Sequence, residues 1–184
     1  ESIKNSSSLD FKVKIIVVDN KSTDNSVAKL KKIAGITFIP SSVNGGFAYG
    51  NNLARPYFEG KYIWFLNPDT TVERNTILYM INYMDQHPEV GLATPKLVLP
   101  DGRFDRNCHR SFPGVWNSMS HFIGLDKLFP KSRLFSAYFL GYLPSDVETE
   151  VDVVGGSSAL VRRRVGDEIG WWDEEYFMYG EDVE

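Results

Sequence analysis

The chain has 184 residues, a formal net charge of −4 and one cysteine, Cys108. This balance gives no sign of a nucleic-acid partner, and a lone cysteine excludes an internal disulfide framework. No apolar run approaches the roughly 18 residues of a membrane span, and a hydrophobic content of 42% is typical of one globular domain, which we expect over residues 1–184.

The first hundred residues alternate short apolar runs with helical patterns. The runs predict strands over 12–18, 36–39 and 62–66, followed by a short strand over 90–94. Between them the patterns predict helices over 26–33, up to about residue 58, and over 73–87. A tight Asp101-Gly102 turn should join two further strands. This alternation predicts an α/β fold with a mostly parallel sheet and right-handed crossovers.

Two of the predicted strands end in acidic turns. Asp19 follows the first strand, and Asn67-Pro68-Asp69 follows the strand over 62–66. Ligands of open α/β sheets bind outside such strand ends, and Pro68 stiffens its turn. A single carboxylate there suits a Mg²⁺ ion that also binds phosphate oxygens. The alternative is that these residues only tie turns and cap helices, which is the interpretation we favour for Asp24.

A glycine-rich loop, Asn44-Gly-Gly-Phe-Ala-Tyr-Gly-Asn-Asn52, follows the second strand. Its adjacent glycines allow positive φ angles and close backbone approach. Amides near the start of the following helix could face an anion. The loop is neither a Walker A loop nor a dinucleotide fingerprint, so a turn and a phosphate site both stay open.

Residues 104–150 lack clear periodicity and are rich in aromatic residues with interspersed arginines and lysines. A segment of this length is usually functional or mobile, so we interpret it as a lid or an acceptor-binding insert. The alternative is an excursion that docks its aromatic side chains on the core. His109 and His121 lack metal-ligand spacing, so we do not expect either to bind a metal.

The last third of the chain contains two charged stretches after strands predicted over 151–154 and 158–161. Arg162-Arg-Arg164 is most simply a solvated helix start, with a diphosphate contact as the alternative. Residues 167–184 contain eight acids and no base, yet they are also rich in aromatic residues, unlike a solvated tail. Carboxylates among aromatic rings can acquire the raised pKa that a general base needs.

Five motifs in this order resemble glycosyltransferase family 2, and in particular its rhamnosyltransferase-like branch. They are the segments 16–24, 44–52, 66–70, 151–156 and 172–182. The resemblance implies a GT-A fold, in which a Rossmann-like, mostly parallel sheet is flanked by helices and an aromatic-rich insert lies on the acceptor side. It implies a nucleotide-sugar-binding half over about 1–100 and an acceptor-side half over about 101–184.

The implied reaction is inverting transfer of a sugar from a nucleotide diphosphate sugar to a glycan or lipid-linked acceptor, in cell-surface polysaccharide synthesis. The branch makes dTDP-L-rhamnose the first donor to consider. The resemblance makes Asp182 the general base and Asp69 the ligand of a Mg²⁺ or Mn²⁺ ion. It assigns donor binding to Asp19, Asn44, Gly45 and Asn67, and acceptor binding to Asp173, Glu174 and Glu181. Asn67 stands where the family has an aspartate, which leaves fewer negative charges for the cation.

The family's first strand and helix would precede Glu1, and its final helices would follow Glu184. We therefore expect a fragment truncated at both ends, with activity belonging to the parent protein. We expect a cytoplasmic location, with the parent free to associate peripherally with the inner face of the membrane. Two alternatives are a nucleotidyltransferase-like enzyme on a similar half-sheet and a catalytically inactive nucleotide-binding module.

Overall fold

The computed structural model describes residues 1–6 and 11–183, so Glu184 lies outside the described residues. The helices are α1 (Ser2–Ser6), α2 (Ser26–Leu30), α3 (Gly46–Asn52), α4 (Thr76–Gln86), α5 (Val115–Phe122), α6 (Leu125–Leu128) and α7 (Arg163–Ile169), with 3₁₀ turns at Arg55–Tyr57 and Arg106–Cys108. The strands are β1 (Ile15–Asp19), β2 (Ile36–Pro40), β3 (Tyr62–Leu66), β4 (Leu92–Ala93), β5 (His109–Arg110), β6 (Val153–Val154) and β7 (Ser158–Arg162). The predicted α/β class is confirmed. None of the described helices has the length and apolar character needed to cross a membrane.

The first two strands form a parallel pair with α2 as the crossover. β1 and β2 run in register from Ile15 opposite Ile36 to Asp19 opposite Pro40. Their β-branched residues suit a pleated, packed surface, as the sequence pattern predicts. Asp19 therefore lies at the carboxyl end of β1, where its side chain is buried.

The second sheet corrects the expectation of mostly parallel pairing. β7 lies between β3 and β4 and is antiparallel to both, with Tyr62 opposite Arg162 and Leu66 opposite Ser158. The cause is the long segment after β4, which returns the chain through β7 in the opposite direction. Among the described strands none hydrogen-bonds to both β1 and β3, so the predicted continuous sheet appears as separate ladders.

β3 separates two apolar layers because successive side chains on a strand point to opposite faces. On one face Trp64 packs with Leu160 of β7 and with Met80 and Met84 of α4. On the other face Phe65 packs within a cluster that includes Trp171 and Trp172, which precede the acidic end of the chain. We call residues 171–183 the acidic segment. The core thereby fixes the start of this segment against β3.

Arg162 is not part of a solvated helix start, which corrects the prediction for this residue. It ends β7 with only 5% of its surface exposed. Its guanidinium donates to the carbonyls of Met84 at 2.7 Å, His87 at 2.9 Å and Val90 at 3.0 Å. These donors serve the protein's own backbone, which also argues against the diphosphate alternative for Arg162. Helix α7 begins one residue later.

Residues 104–150 form an ordered segment that contains α5 and α6. β5 pairs with β6 and joins the segment to the core, with Arg110 opposite Val153. Trp116 donates to the Leu134 carbonyl at 2.9 Å, and aromatic rings of the segment contact one another. Its role as a lid or acceptor-binding insert stays a prediction, as does the boundary between halves at about residue 100.

Candidate active site

The glycine-rich loop is clamped to the end of β1 by Asn20. The Asn20 Oδ1 atom accepts from the Gly45 N–H at 3.1 Å, and its Nδ2 donates to the Gly46 carbonyl at 2.9 Å. Beside it, Asp19 Oδ2 accepts from the Ser22 N–H at 3.1 Å. The structure thus places Asp19 and Gly45 in one wall of the site. Sequence reasoning missed Asn20, although a side-chain amide next to a strand-end aspartate can both donate and accept.

The N–H groups around the start of α3 are already occupied. Gly45 donates to Asn20, Gly46 donates to Asn44 Oδ1 at 3.2 Å, and Phe47 donates to the Phe177 carbonyl at 2.9 Å. These three N–H groups therefore have partners within the protein, and an anion at the start of α3 stays a prediction. Asn44 and Gly45 keep their predicted roles in donor binding, which no contact here tests.

Gly46 has the positive φ angle, +88°, that the paired glycines allow. A Cβ atom at this position would overlap the backbone carbonyl of Phe177. The glycine is thus required by the close approach of the acidic segment, which the structure places directly on the loop.

Asn52, at the end of α3, holds the acidic segment from the other side. Its Nδ2 donates to the Trp172 carbonyl at 2.7 Å and to Glu174 Oε1 at 2.9 Å. The Trp172 ring lies between Phe47, at 5.3 Å between centroids, and Phe65, at 5.2 Å. Two polar bonds and two edge-to-face contacts therefore fix the backbone just before the predicted acceptor-binding residues.

Asp173 and Glu174 both have protein partners. Asp173 Oδ1 accepts from the Glu175 N–H at 2.9 Å, which ties its own turn, while Glu174 is held by Asn52. Glu181 differs, because its Oε2 atom is buried and has no hydrogen-bond partner in the described structure. An unpaired buried carboxylate oxygen costs free energy unless a ligand satisfies it. The acceptor roles of these three residues stay predictions.

Asp182 forms an ion pair with Arg110, with its Oδ1 accepting from Nη2. The two side chains are only 10% and 19% exposed. The predicted setting of carboxylates among aromatic rings is therefore incomplete, because Asp182 faces a guanidinium. Sequence reasoning missed Arg110 as a site residue. The available signal was charge complementarity between an acid-only segment and the basic residues of 104–150.

Asn67 and Asp69 lie in a fixed turn at the end of β3. The Thr70 N–H donates to the Asn67 carbonyl at 3.1 Å. Asp69 is exposed and forms no hydrogen bond or ion pair with the residues that the structure describes. Its oxygens are thus free for a hard cation, and Mg²⁺ commonly takes one or two carboxylates together with phosphate oxygens.

A cation at Asp69 would need ligands from outside this turn. Within residues 1–6 and 11–183, no group of three or more histidine, cysteine or acidic side chains could hold a metal. The donor set therefore fits a cation held by one carboxylate and by the oxygens of a bound diphosphate, and it does not fit a closed structural site.

The turn at 155–157 connects these parts. One of its amides donates to the Cys108 carbonyl at 2.8 Å, one of its glycines packs against the Phe47 ring, and one of its carbonyls accepts from the Asn67 N–H at 3.0 Å. The insert, the glycine loop and the turn carrying Asp69 therefore meet at a single short connection between β6 and β7.

Comparison with known proteins gives consistent results. The family model described as Glycosyl transferase family 2 matches residues 1–149. Rhamnosyltransferase WbbL of Escherichia coli (strain K12) is 29% identical over 192 residues, which covers 99% of this chain and 68% of that protein. The N-acetylglucosaminyl-diphospho-decaprenol L-rhamnosyltransferase of Mycobacterium tuberculosis (strain ATCC 25618 / H37Rv) is 26% identical over 94% of this chain and 59% of its own length.

The structural comparison agrees on the fold. The crystal structure of S. aureus TarS 1-349 superposes with a TM-score of 0.60 at 17% sequence identity, covering 99% of this chain and 47% of that chain. The predicted GT-A fold is thereby confirmed. The present chain spans about three fifths to two thirds of the length of the two rhamnosyltransferases.

Proposed function

Because this chain belongs to glycosyl transferase family 2, we propose that it forms the catalytic site of an inverting sugar transferase that uses a nucleotide diphosphate sugar. Both bacterial relatives are named as rhamnosyltransferases and one of them specifically for L-rhamnose, which supports dTDP-L-rhamnose as the donor to test first. One of these relatives is named for a diphospho-decaprenol compound, which supports a lipid-linked acceptor. The parent protein then acts in cell-surface polysaccharide synthesis.

The observation that carries this proposal is the placement of Asp182. The segment bearing it is docked on the glycine loop through Phe47 and Phe177, and its carboxylate is paired with Arg110. In the proposed step, Asp182 accepts the proton of the acceptor hydroxyl as this oxygen attacks the anomeric carbon from the face opposite the diphosphate. Arg110 holds the carboxylate in one orientation, which favours a productive geometry.

The donor side is assigned to the strand-end residues. Asp19, buried at the end of β1, accepts from the nucleobase, while Asn44, Gly45 and Asn67 contact the rest of the nucleotide. Asp69 would hold a Mg²⁺ or Mn²⁺ ion, which when bound supplies charge neutralisation for the leaving diphosphate. Glu181, with its unpaired buried oxygen, together with Asp173 and Glu174, contacts the acceptor. A cytoplasmic protein at the inner face of the membrane would meet both substrates.

The decisive experiment replaces Asp182 with asparagine in the parent protein. We expect transfer from dTDP-L-rhamnose to fall at least a thousandfold, because general-base catalysis typically contributes about 10²–10⁴ and the carboxylate also organises the site. Nucleotide affinity should be unchanged. Asp146→Asn, at an exposed position that is not among the proposed site residues, is the matched control. Retained transfer, or loss of nucleotide binding, in Asp182→Asn would contradict the assignment of the base.

The metal assignment is tested separately by calorimetric titration with dTDP, UDP and GDP, each with and without Mn²⁺. We expect one nucleotide to bind more tightly with Mn²⁺, and Asp69→Ala to abolish that gain while leaving metal-free affinity unchanged. If Asp69→Ala kept the full Mn²⁺-dependent gain, the cation would bind elsewhere.

A further inference from the structure

Helix α5 exposes its apolar side chains to solvent and directs its polar side chains towards the protein. Its exposed apolar side chains are Val115, Trp116, Met119 and Phe122, continued by Ile123 just after the helix. These positions are spaced as one helical stripe, which in a globular protein normally faces the core. Instead Val115 is 90% exposed and Phe122 is 84% exposed.

The polar side chains of α5 face the rest of the protein and form hydrogen bonds with it. Ser120 is buried and donates to the Phe135 carbonyl at 2.7 Å. Asn117 donates to Ser111 Oγ at 2.9 Å, and His121 Nδ1 lies 2.8 Å from Asp126 Oδ2. These hydrogen bonds fix the rotation of the helix about its axis. The apolar stripe therefore faces outward because of specific contacts on the opposite side of the helix.

The apolar surface continues beyond α5. Of the large apolar side chains that are exposed in the described residues, nine lie between positions 112 and 134. They are Phe112, Val115, Trp116, Met119, Phe122, Ile123, Leu128, Phe129 and Leu134, and we call this set the apolar patch. Five of the nine are neighbours in the helical stripe, and contiguous exposed apolar residues mark interaction sites, whereas isolated ones are ordinary.

The exposed charged side chains between positions 112 and 134 are all positive. They are Lys127, Lys131 and Arg133, whereas the acid of this stretch, Asp126, is buried beside His121. This local excess of positive charge occurs in a chain with a net charge of −4. Aromatic and aliphatic side chains bordered by lysine and arginine are the combination that binds the interface of an anionic bilayer.

We propose that the apolar patch docks on a membrane surface that contains anionic phospholipids, with Phe122 and Ile123 entering the acyl boundary and Lys127, Lys131 and Arg133 at the headgroups. The choice of a bilayer rests on the proposed function, in which the acceptor is lipid-linked. The same segment carries Arg110, the ion-pair partner of Asp182, so it links the proposed docking surface to the acceptor side of the site.

Vesicle flotation tests the proposal directly. The protein should bind vesicles of phosphatidylglycerol and phosphatidylcholine, bind pure phosphatidylcholine much more weakly, and detach as salt rises. The double variant Phe122→Ser/Ile123→Ser should lose at least tenfold in affinity, and Lys127→Ala about fivefold, because each cation near an anionic surface contributes about that factor. Tyr79→Ser on α4, where the side chain is 69% exposed, is the matched control and should bind like the unaltered protein.

The same measurements can also contradict the proposal. Failure of the unaltered protein to bind anionic vesicles, or equal binding by the double variant, would overturn the proposal. So would a stable dimer that the double variant dissociates, because a second copy would then cover the patch. Nucleotide titration with Mn²⁺ separates the two proposals: vesicle binding without nucleotide binding would support the patch and contradict the proposed function.

Discussion

Replacing Gly46 with alanine tests whether the acidic segment rests on the glycine loop. The residue has a φ angle of +88°, and an added Cβ would overlap the Phe177 carbonyl. The left-handed conformation costs an alanine about 1 kcal/mol, and loss of the Phe47–Phe177 hydrogen bond costs about 1 kcal/mol more. Displacing the packed segment adds about 1–2 kcal/mol. We therefore expect the free energy of unfolding to fall by about 3–4 kcal/mol.

Gly102 provides the control for backbone strain. Its φ angle is +83°, but an added Cβ would meet no atom within 4 Å. Gly102→Ala should thus cost only the strain, about 1 kcal/mol. Urea unfolding followed by tryptophan fluorescence measures both variants, since Trp171 and Trp172 report on the start of the acidic segment. Equal losses in the two variants would refute the contact between the loop and Phe177.

Three further predictions follow from other contacts. Arg110→Met should lower the free energy of unfolding by about 2 kcal/mol and lower transfer, because the mostly buried Asp182 loses its partner; unchanged unfolding would show that the pair is unimportant. Arg162→Leu should cost about 4 kcal/mol by leaving three carbonyls unpaired, whereas the same change at the exposed Arg164 should cost under about 0.5 kcal/mol in the same urea titration. Burial raises the pKa of the Cys108 thiol to about 11, so its neutral form persists to higher pH; iodoacetamide at pH 8 should label the native thiol about a hundredfold more slowly than the unfolded one, and equal rates would contradict this.

The parts of the fold that depend on local sequence could be predicted. β1, β2, β3 and α4 follow from periodicity alone, and the positive φ of Gly46 follows from the paired glycines. The antiparallel insertion of β7 could not be predicted from local patterns, because it depends on how far the chain travels through 104–150 before it returns. The burial of Arg162 was missed for the same reason, since its partners lie more than seventy residues earlier in the chain.

The segment 104–150 shows a different limit of sequence reasoning. The apolar stripe of α5 has helical spacing, yet the many other aromatic residues around it mask this period in the sequence. A pattern-based prediction would also have placed this stripe against the core. Its outward direction is set by hydrogen bonds of Asn117 and Ser120 to residues of the same segment, which a hydrophobic pattern does not encode.

The candidate site has one part that local sequence predicts and one part that depends on contacts between residues distant in the chain. Its proposed donor side is built from turns that directly follow strands, so Asp19 and Asp69 can be picked out from residues next to them in sequence. Its proposed acceptor side is built from pairs such as Arg110 and Asp182, which are 72 residues apart in the chain. Substitution of Arg110 should therefore change the KM for the acceptor while leaving nucleotide affinity intact. A change in nucleotide affinity of the same size would show that the two sides are energetically coupled.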